Sequence, residues 1–194
     1  MKVRSWAISA AWFLILLPCI GSAQSPVRFI EAKKIFVLDA GNISYVFGIN
    51  DKNMLQHIYW GKHVWRDDDF AAAQSLPEWA AFDLSTTTTP QEYPGWGAGL
   101  FVEPSLKITF PDGNRDLVLH YVNHQIDGNR LTITLKDIER PLLVHLHYVV
   151  YPQTGIVQRD ATIVNMSIQL SPAAYHCRCR VTVHLGKPMI PRYC

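Results

Sequence analysis

Leu131-Thr132-Ile133-Thr134-Leu135, entered from Asp127-Gly128-Asn129, decides the fold class. In an extended chain Leu131, Ile133 and Leu135 share one side and Thr132 and Thr134 the other, because successive strand side chains point to opposite faces. A helix would not keep the three apolar residues on one stripe. The β-branched residues in this run add strand preference. Asp, Gly and Asn just upstream accept the positive φ angles of a tight hairpin turn.

The same pattern continues outward in both directions. Leu106, Ile108 and Phe110 alternate with Lys107 and Thr109, and Pro111-Asp112-Gly113-Asn114 supplies a turn before an expected strand at 117–122. Expected strands at 142–151 and 156–164 flank Pro152-Gln153-Thr154-Gly155. Toward the N-terminus, expected strands at 35–38 and 43–47 flank Ala40-Gly41-Asn42, and a further apolar run, 54–60, stops at Gly61. Short period-two runs separated by turn residues about every ten residues predict an all-β chain, built as an antiparallel sandwich. Ala71 to Trp79 could form a turn or two of helix, limited by Pro77. The irregular stretch from Val64 to Gly99 is longer than a hairpin loop needs, and loops of that length often carry function.

Hydrophobic residues make up 48% and charged residues 18% of the 194, so a buried core is within reach and general disorder is not expected. The formal charge of +2 argues against a nucleic-acid or polyanion partner. Lys2 and Arg4 precede an apolar stretch from Trp6 to Ile20, and Gly21-Ser22-Ala23 then offers a cleavage site. Residues 1–23 therefore read as a signal peptide, with an extracytoplasmic (periplasmic or secreted) mature chain beginning at Gln24. A membrane span needs about 20 apolar residues, and Ser5, Ser9 and Pro18 break this stretch sooner. No membrane attachment is expected after cleavage.

Candidate chemistry is sparse. No phosphate-binding glycine loop, nucleophile elbow or zinc-helix motif is present. His145 and His147 share a strand face and read as the polar side of a strand rather than a metal pair. His176, Cys177 and Cys179 lack a second ligand pair at zinc spacing, so neither a metal nor any other cofactor is expected. Asp67-Asp68-Asp69 reads as a solvated loop face, since raising one carboxylate's pKa needs burial or a close, fixed partner. No catalytic residue is assigned. Among the clustered aromatics, Trp65 and Trp79 are the expected exposed members and the candidate platform for stacking on a sugar ring.

Several blocks resemble a known family. Ile43-Ser44-Tyr45-Val46, Met54-Leu55-Gln56-His57-Ile58-Tyr59-Trp60-Gly61-Lys62 and Gln91-Glu92-Tyr93-Pro94-Gly95-Trp96-Gly97 are similar to the N-terminal domain of family 36 glycoside hydrolases, the α-galactosidase family. The Pro111-Asp112-Gly113 turn, Leu131 to Asp137, Ile156-Val157-Gln158-Arg159 and Ile163-Val164-Asn165 follow in the family's order. The resemblance implies a β-supersandwich, of which residues 24–166 would form part. It also implies a (β/α)8 barrel carrying two catalytic aspartates in the intact protein, and no residue here matches either. α-Galactoside sugars are then expected as partners only of the intact protein, and self-association into a homo-oligomer is expected as in the family. The loop holding Leu76-Pro77-Glu78-Trp79-Ala80-Ala81-Phe82-Asp83 departs from the family pattern.

After Asn165 the match fails. All 16 acidic residues lie before Ala161, while Cys177, Cys179 and Cys194 all fall beyond it. Residues 167–194 therefore read as a divergent tail, the pattern a shifted reading frame leaves. The resulting expectation is an inactive, non-catalytic N-terminal fragment of an exported α-galactosidase-like protein. The strands at 142–151 and 156–164 would lack partners and favour association through bare edges. The alternative is a free-standing carbohydrate-binding sandwich using Trp65 and Trp79.

Overall fold

A computed structural model describes residues 25–77, 89–97 and 103–166, together with the backbone of 178–183. Among the described residues nine strands form two antiparallel sheets, so the chain is all-β and makes a partial sandwich. The first sheet holds β1 (Val27–Ile30), β2 (Ile35–Ala40), β3 (Ile43–Ile49) and β4 (Leu55–Lys62), paired in that order. The second holds β5 (Leu119–Asp127), β6 (Arg130–Asp137), β7 (Leu142–Tyr151), β8 (Ile156–Asn165) and β9 (Arg178–Val183), also in chain order.

The turns explain this simple topology. Ala40 faces Ile43 and Asp127 faces Arg130, each across two residues of which the first is a glycine at positive φ, Gly41 at 60° and Gly128 at 58°. A glycine there accepts the backbone twist that matches the right-handed twist of the flanking strands. β1 enters differently. A 3-10 turn at Glu31–Lys33 ends on Lys34, whose φ of 53° reverses the chain.

The alternation read from 131–135 places its residues as expected. Leu131, Ile133 and Leu135 are buried between the sheets with Phe36, Leu38, Phe47, Val144, Leu146 and Tyr148. Burying each such aliphatic side chain contributes about 1.5–3 kcal/mol relative to leaving it in water. The Phe47 and Tyr148 rings stack across the two sheets, 5.0 Å between centroids. A smaller cluster, Ile35, Val37, Val46 and Phe70, covers the opposite face of the first sheet. The loop after β4 thus adds a third layer there, through Phe70.

Four expectations change. Residues 105–110 form no regular strand, although Leu106, Ile108 and Phe110 do pack on the main core. Their backbone instead meets the 94–97 loop: the Ser105 N–H donates to Pro94 O and the Trp96 N–H donates to Leu106 O. Residues 71–77 are not helical, and Ser75 is held instead by the Asp51 carboxylate. β1 joins the first sheet unanticipated. Most consequentially, β7 and β8 are not bare: β9, drawn from the tail, pairs along β8 from Val157↔Val183 to Thr162↔Arg178. Residues 1–23 lie outside the described residues.

Candidate functional site

The side of the sandwich beyond β3 and β4 faces β7 and β8 across a gap, and this gap holds the principal site. Tyr45 on β3 and Trp60 on β4 are Cα partners, and their rings meet edge to face at 5.7 Å. His57, three residues before Trp60, also lies against Tyr45, 5.3 Å between ring centroids. A strand of strict period two could not bring both residues to one face. A bulge resolves this: Val46 pairs with Tyr59 and Phe47 with His57, leaving Ile58 as the extra residue. Trp60 is thereby turned inward while Tyr59 joins the outer cluster.

At the floor of the gap lies Glu92, whose side chain is only 2% exposed. Its segment is tied to β4, because the Glu92 N–H donates to Leu55 O and the His57 N–H donates to Pro90 O. The Tyr45 hydroxyl donates to the carboxylate at 2.7 and 2.6 Å, and the Tyr148 hydroxyl donates to Oε1 at 2.9 Å. Arg159 on β8 donates from Nη1 to Oε1 at 2.9 Å and to the Glu92 carbonyl at 3.1 Å. Nδ1 of His57 stands 3.6 Å from Oε2.

Burial alone would push the Glu92 carboxyl up. The His57 ring, the Arg159 charge and the Tyr45 and Tyr148 hydroxyls outweigh burial and hold it below the ordinary glutamate range. Burial, reinforced by the same carboxylate, drives both tyrosines well above their usual range. Burial would lower the Arg159 guanidinium, but Glu92 raises it, so it stays charged. The cluster is therefore a fixed ion pair carrying two neutral phenols. Every oxygen of the carboxylate has a donor.

Above this floor a pocket of about 140 Å³ is lined by Ile43, Tyr45, Trp60, Tyr148, Gly155, Val157 and Arg159. Trp60 remains 48% exposed at its rim. Cation-stacking on Tyr93 at 5.9 Å helps hold the Arg159 guanidinium, while its Nε and Nη2 donate to no described residue.

The residues singled out from sequence fall elsewhere. Trp65 is 86% exposed and stands edge-on to His63 at 4.5 Å. It belongs to the outer face of the first sheet, where Arg28 bonds Asp67 and Asp39, and Ser44 donates to Asp39 at 2.6 Å. Trp79 lies outside the described residues, so no pairing of Trp65 with Trp79 is placed. Asp67 is engaged by Arg28, and the Lys33 ammonium donates to the carbonyls of Asp67, Asp68 and Phe70, which makes this segment a braced 3-10 turn. His145 and His147 do share a face; each Nδ1 meets a threonine hydroxyl, of Thr134 and Thr132, at 3.1 Å. Among the described residues no group of three or more His, Cys, Asp or Glu is arranged to hold a metal ion.

The sequence alone does not single out Glu92, Arg159, Tyr148 and Trp60 as a site. A signal existed, since a lone glutamate in the aromatic-rich Gln91-Glu92-Tyr93 and a lone arginine in the strand at 156–164 both invite a partner. Nothing in their spacing joins residue 92 to residue 159.

Comparison with known proteins gives a consistent result. The glycosyl hydrolase family 36 N-terminal domain matches residues 53–170. The chain is 29% identical to the α-galactosidase AgaA of Geobacillus stearothermophilus and 26% identical to the α-galactosidase Mel36A of Lactobacillus acidophilus. Each match covers 72% of this chain but 23% of the relative. The crystal structure of the α-galactosidase AgaB of Geobacillus stearothermophilus superposes with a TM-score of 0.63 at 28% identity, over 72% of this chain and 22% of that one. The chain thus spans under a quarter of the length of these relatives.

Proposed function

Because the chain belongs to glycoside hydrolase family 36 through its N-terminal domain, we propose that it contributes the opening part of that sandwich in an exported α-galactosidase-like protein and performs no hydrolysis itself. In the intact protein its role is to support the barrel that the family resemblance implies, to mediate oligomer contacts and to rim the sugar pocket. The observation that carries this reading is the family match over residues 53–170, within which Glu92 serves as a buried tie to Arg159.

The chemistry of the described carboxylates supports a non-catalytic role. Retaining hydrolysis requires two carboxyl groups about 5–5.5 Å apart, flanking the sugar. Here Glu92 is saturated by Arg159 and two phenols, Asp39 and Asp67 are committed to Arg28, and Asp112 is paired with Arg140. Purified chain incubated with an aryl α-galactoside is expected to show no turnover. Hydrolysis that survives purification and is lost on substituting Asp67, Asp68 or Asp69 would overturn the proposal. Export is tested by sequencing the N-terminus of the product outside the cytoplasm, which should begin at Gln24.

A second reading, a free-standing carbohydrate-binding sandwich, draws on the exposure of Trp65. Barrel-coding sequence downstream of Cys194 in another frame favours the first reading, and a clean intergenic gap favours the second.

A further inference from the structure

We propose that the pocket between Trp60 and Arg159 is a binding site for a single neutral pyranose ring. Three features of this pocket converge on that ligand class. The first is the Trp60 ring, which is held edge-on by Tyr45 yet left 48% exposed, so its indole remains available to an incoming ring. Pyranoses present a face of C–H groups that packs on such a surface. The second is Arg159, which has Nη1 committed to Glu92 while Nε and Nη2 donate to no described residue. A guanidinium edge carries donors only and therefore recognises hydroxyl and ring oxygens as acceptors. The third is charge. Glu92 already compensates Arg159 at 2.9 Å, so the pocket offers donors without excess positive charge and suits a neutral sugar better than a uronic acid.

Size and shape agree. A volume of about 140 Å³ admits one ring rather than an oligosaccharide. Gly155, in the turn joining β7 to β8, lines it without a side chain, and Ile43 and Val157 give the remaining wall an apolar character. The Ile58 bulge is what makes the site, because without the extra residue Trp60 would face the outer layer. This inference rests on the pocket's own chemistry rather than on the proposed role in the intact protein. Its failure would leave the family membership standing, and the hydrolysis assay bears on the other question alone.

The test is a titration of the full chain with methyl α-D-galactopyranoside and methyl α-D-glucopyranoside. It is followed through indole N–H shifts in nitrogen-15 spectra, with cyclohexanol as a ring lacking the array of hydroxyls. Saturable binding of at least one glycoside is expected, with a dissociation constant on the order of 1 mM. The Trp60 indole, identified by its loss in Trp60→Phe, should move. Trp60→Ala should weaken binding about tenfold, the loss of one stacking contact. Val157→Trp, which fills the pocket without removing the buried ion pair, should abolish it, and Trp65→Ala on the outer face should leave it unchanged. Circular dichroism confirms that each variant is folded; if Trp60→Ala is not, Val157→Trp and Trp60→Phe decide. Absence of saturable binding, equal response to cyclohexanol, or binding lost in Trp65→Ala but kept in Val157→Trp would overturn the proposal.

Discussion

Each face of the β1–β4 sheet lies against an arginine–carboxylate cluster and a tryptophan, the inner arginine reaching across from β8, and the two clusters behave differently. On the inner face Arg159 meets Glu92 in a gap closed by the second sheet, with the glutamate side chain 2% exposed. On the outer face Arg28 holds Asp39 and Asp67, whose side chains are 14% and 33% exposed. A carboxylate cut off from water must satisfy every lone pair within the protein, and Tyr45 and Tyr148 help Arg159 do this for Glu92. A carboxylate with more access to water, such as Asp67, leans partly on solvent, and its pairing is worth less. The contrast shows that charge alone marks neither a site nor a scaffold. The inner pair is a fixed floor on which a pocket can stand, while the outer pair fastens a loop.

The sharpest way to break this contrast is to cut one partner from each cluster. Glu92→Ala takes the counter-charge from Arg159, whose side chain is 24% exposed, and strands the Tyr45 and Tyr148 hydroxyls. The expected loss is about 3 kcal/mol, the lower end for a broken buried pair. Urea denaturation should show this drop, and a loss under about 1 kcal/mol, the worth of a surface pair, would mean the inner cluster is solvated after all.

Acid titration sharpens the same point. The Glu92 carboxyl is held below its ordinary range, so its contribution to stability is fully present above the unfolded-state pKa and is lost as pH falls through the lower folded value. Denaturation midpoints measured from neutral pH downward should therefore fall in the acid range, and Glu92→Gln should flatten that fall. It should not remove it, because Asp51, lowered by the Ser75 N–H and hydroxyl, and Asp112, lowered by Arg140, contribute with the same sign. An unchanged slope in Glu92→Gln would contradict the assignment.

Arg28→Ala is expected to cost less, about 1.5–3 kcal/mol for charged hydrogen bonds in a partly buried setting. The 3-10 turn at Asp67–Asp69 should also become more open to proteolysis, since Arg28 then no longer ties Asp67 to β1. A loss matching that of Glu92→Ala would erase the distinction between the faces. The smallest effect belongs to Trp65→Ala, within about 0.5 kcal/mol, because its ring touches little beyond His63. A larger loss would show that the outer tryptophan is structural.

Much of this architecture was legible beforehand for a local reason. The alternation of Leu131, Ile133 and Leu135, and turns such as Gly41-Asn42 and Gly128-Asn129, act within a few residues and left their mark in the sequence. The alternation at 105–110 predicts the core-facing side correctly, yet these residues form no strand. Leu106, Ile108 and Phe110 needed only the core, whereas a strand also needs a neighbour with free backbone groups, and the 94–97 loop was the partner at hand. The tail misled in the other direction. Its acid-free composition suggested a bare edge at β8, while residues 178–183 supply the backbone pairing that an edge demands.

What the sequence by itself determined is the class of the chain: all-β, antiparallel, with its hydrophobic faces assigned and its family blocks in order. It did so because strand period and turn chemistry are properties of neighbours. The site was decided only by the tertiary structure. Glu92 and Arg159 are 67 residues apart and meet because two sheets close on each other. Trp60 faces them because Ile58 is an extra residue in the pairing of β3 with β4, a shift that exists only once the two strands are side by side. Strict alternation along β4 would have placed that tryptophan on the other face.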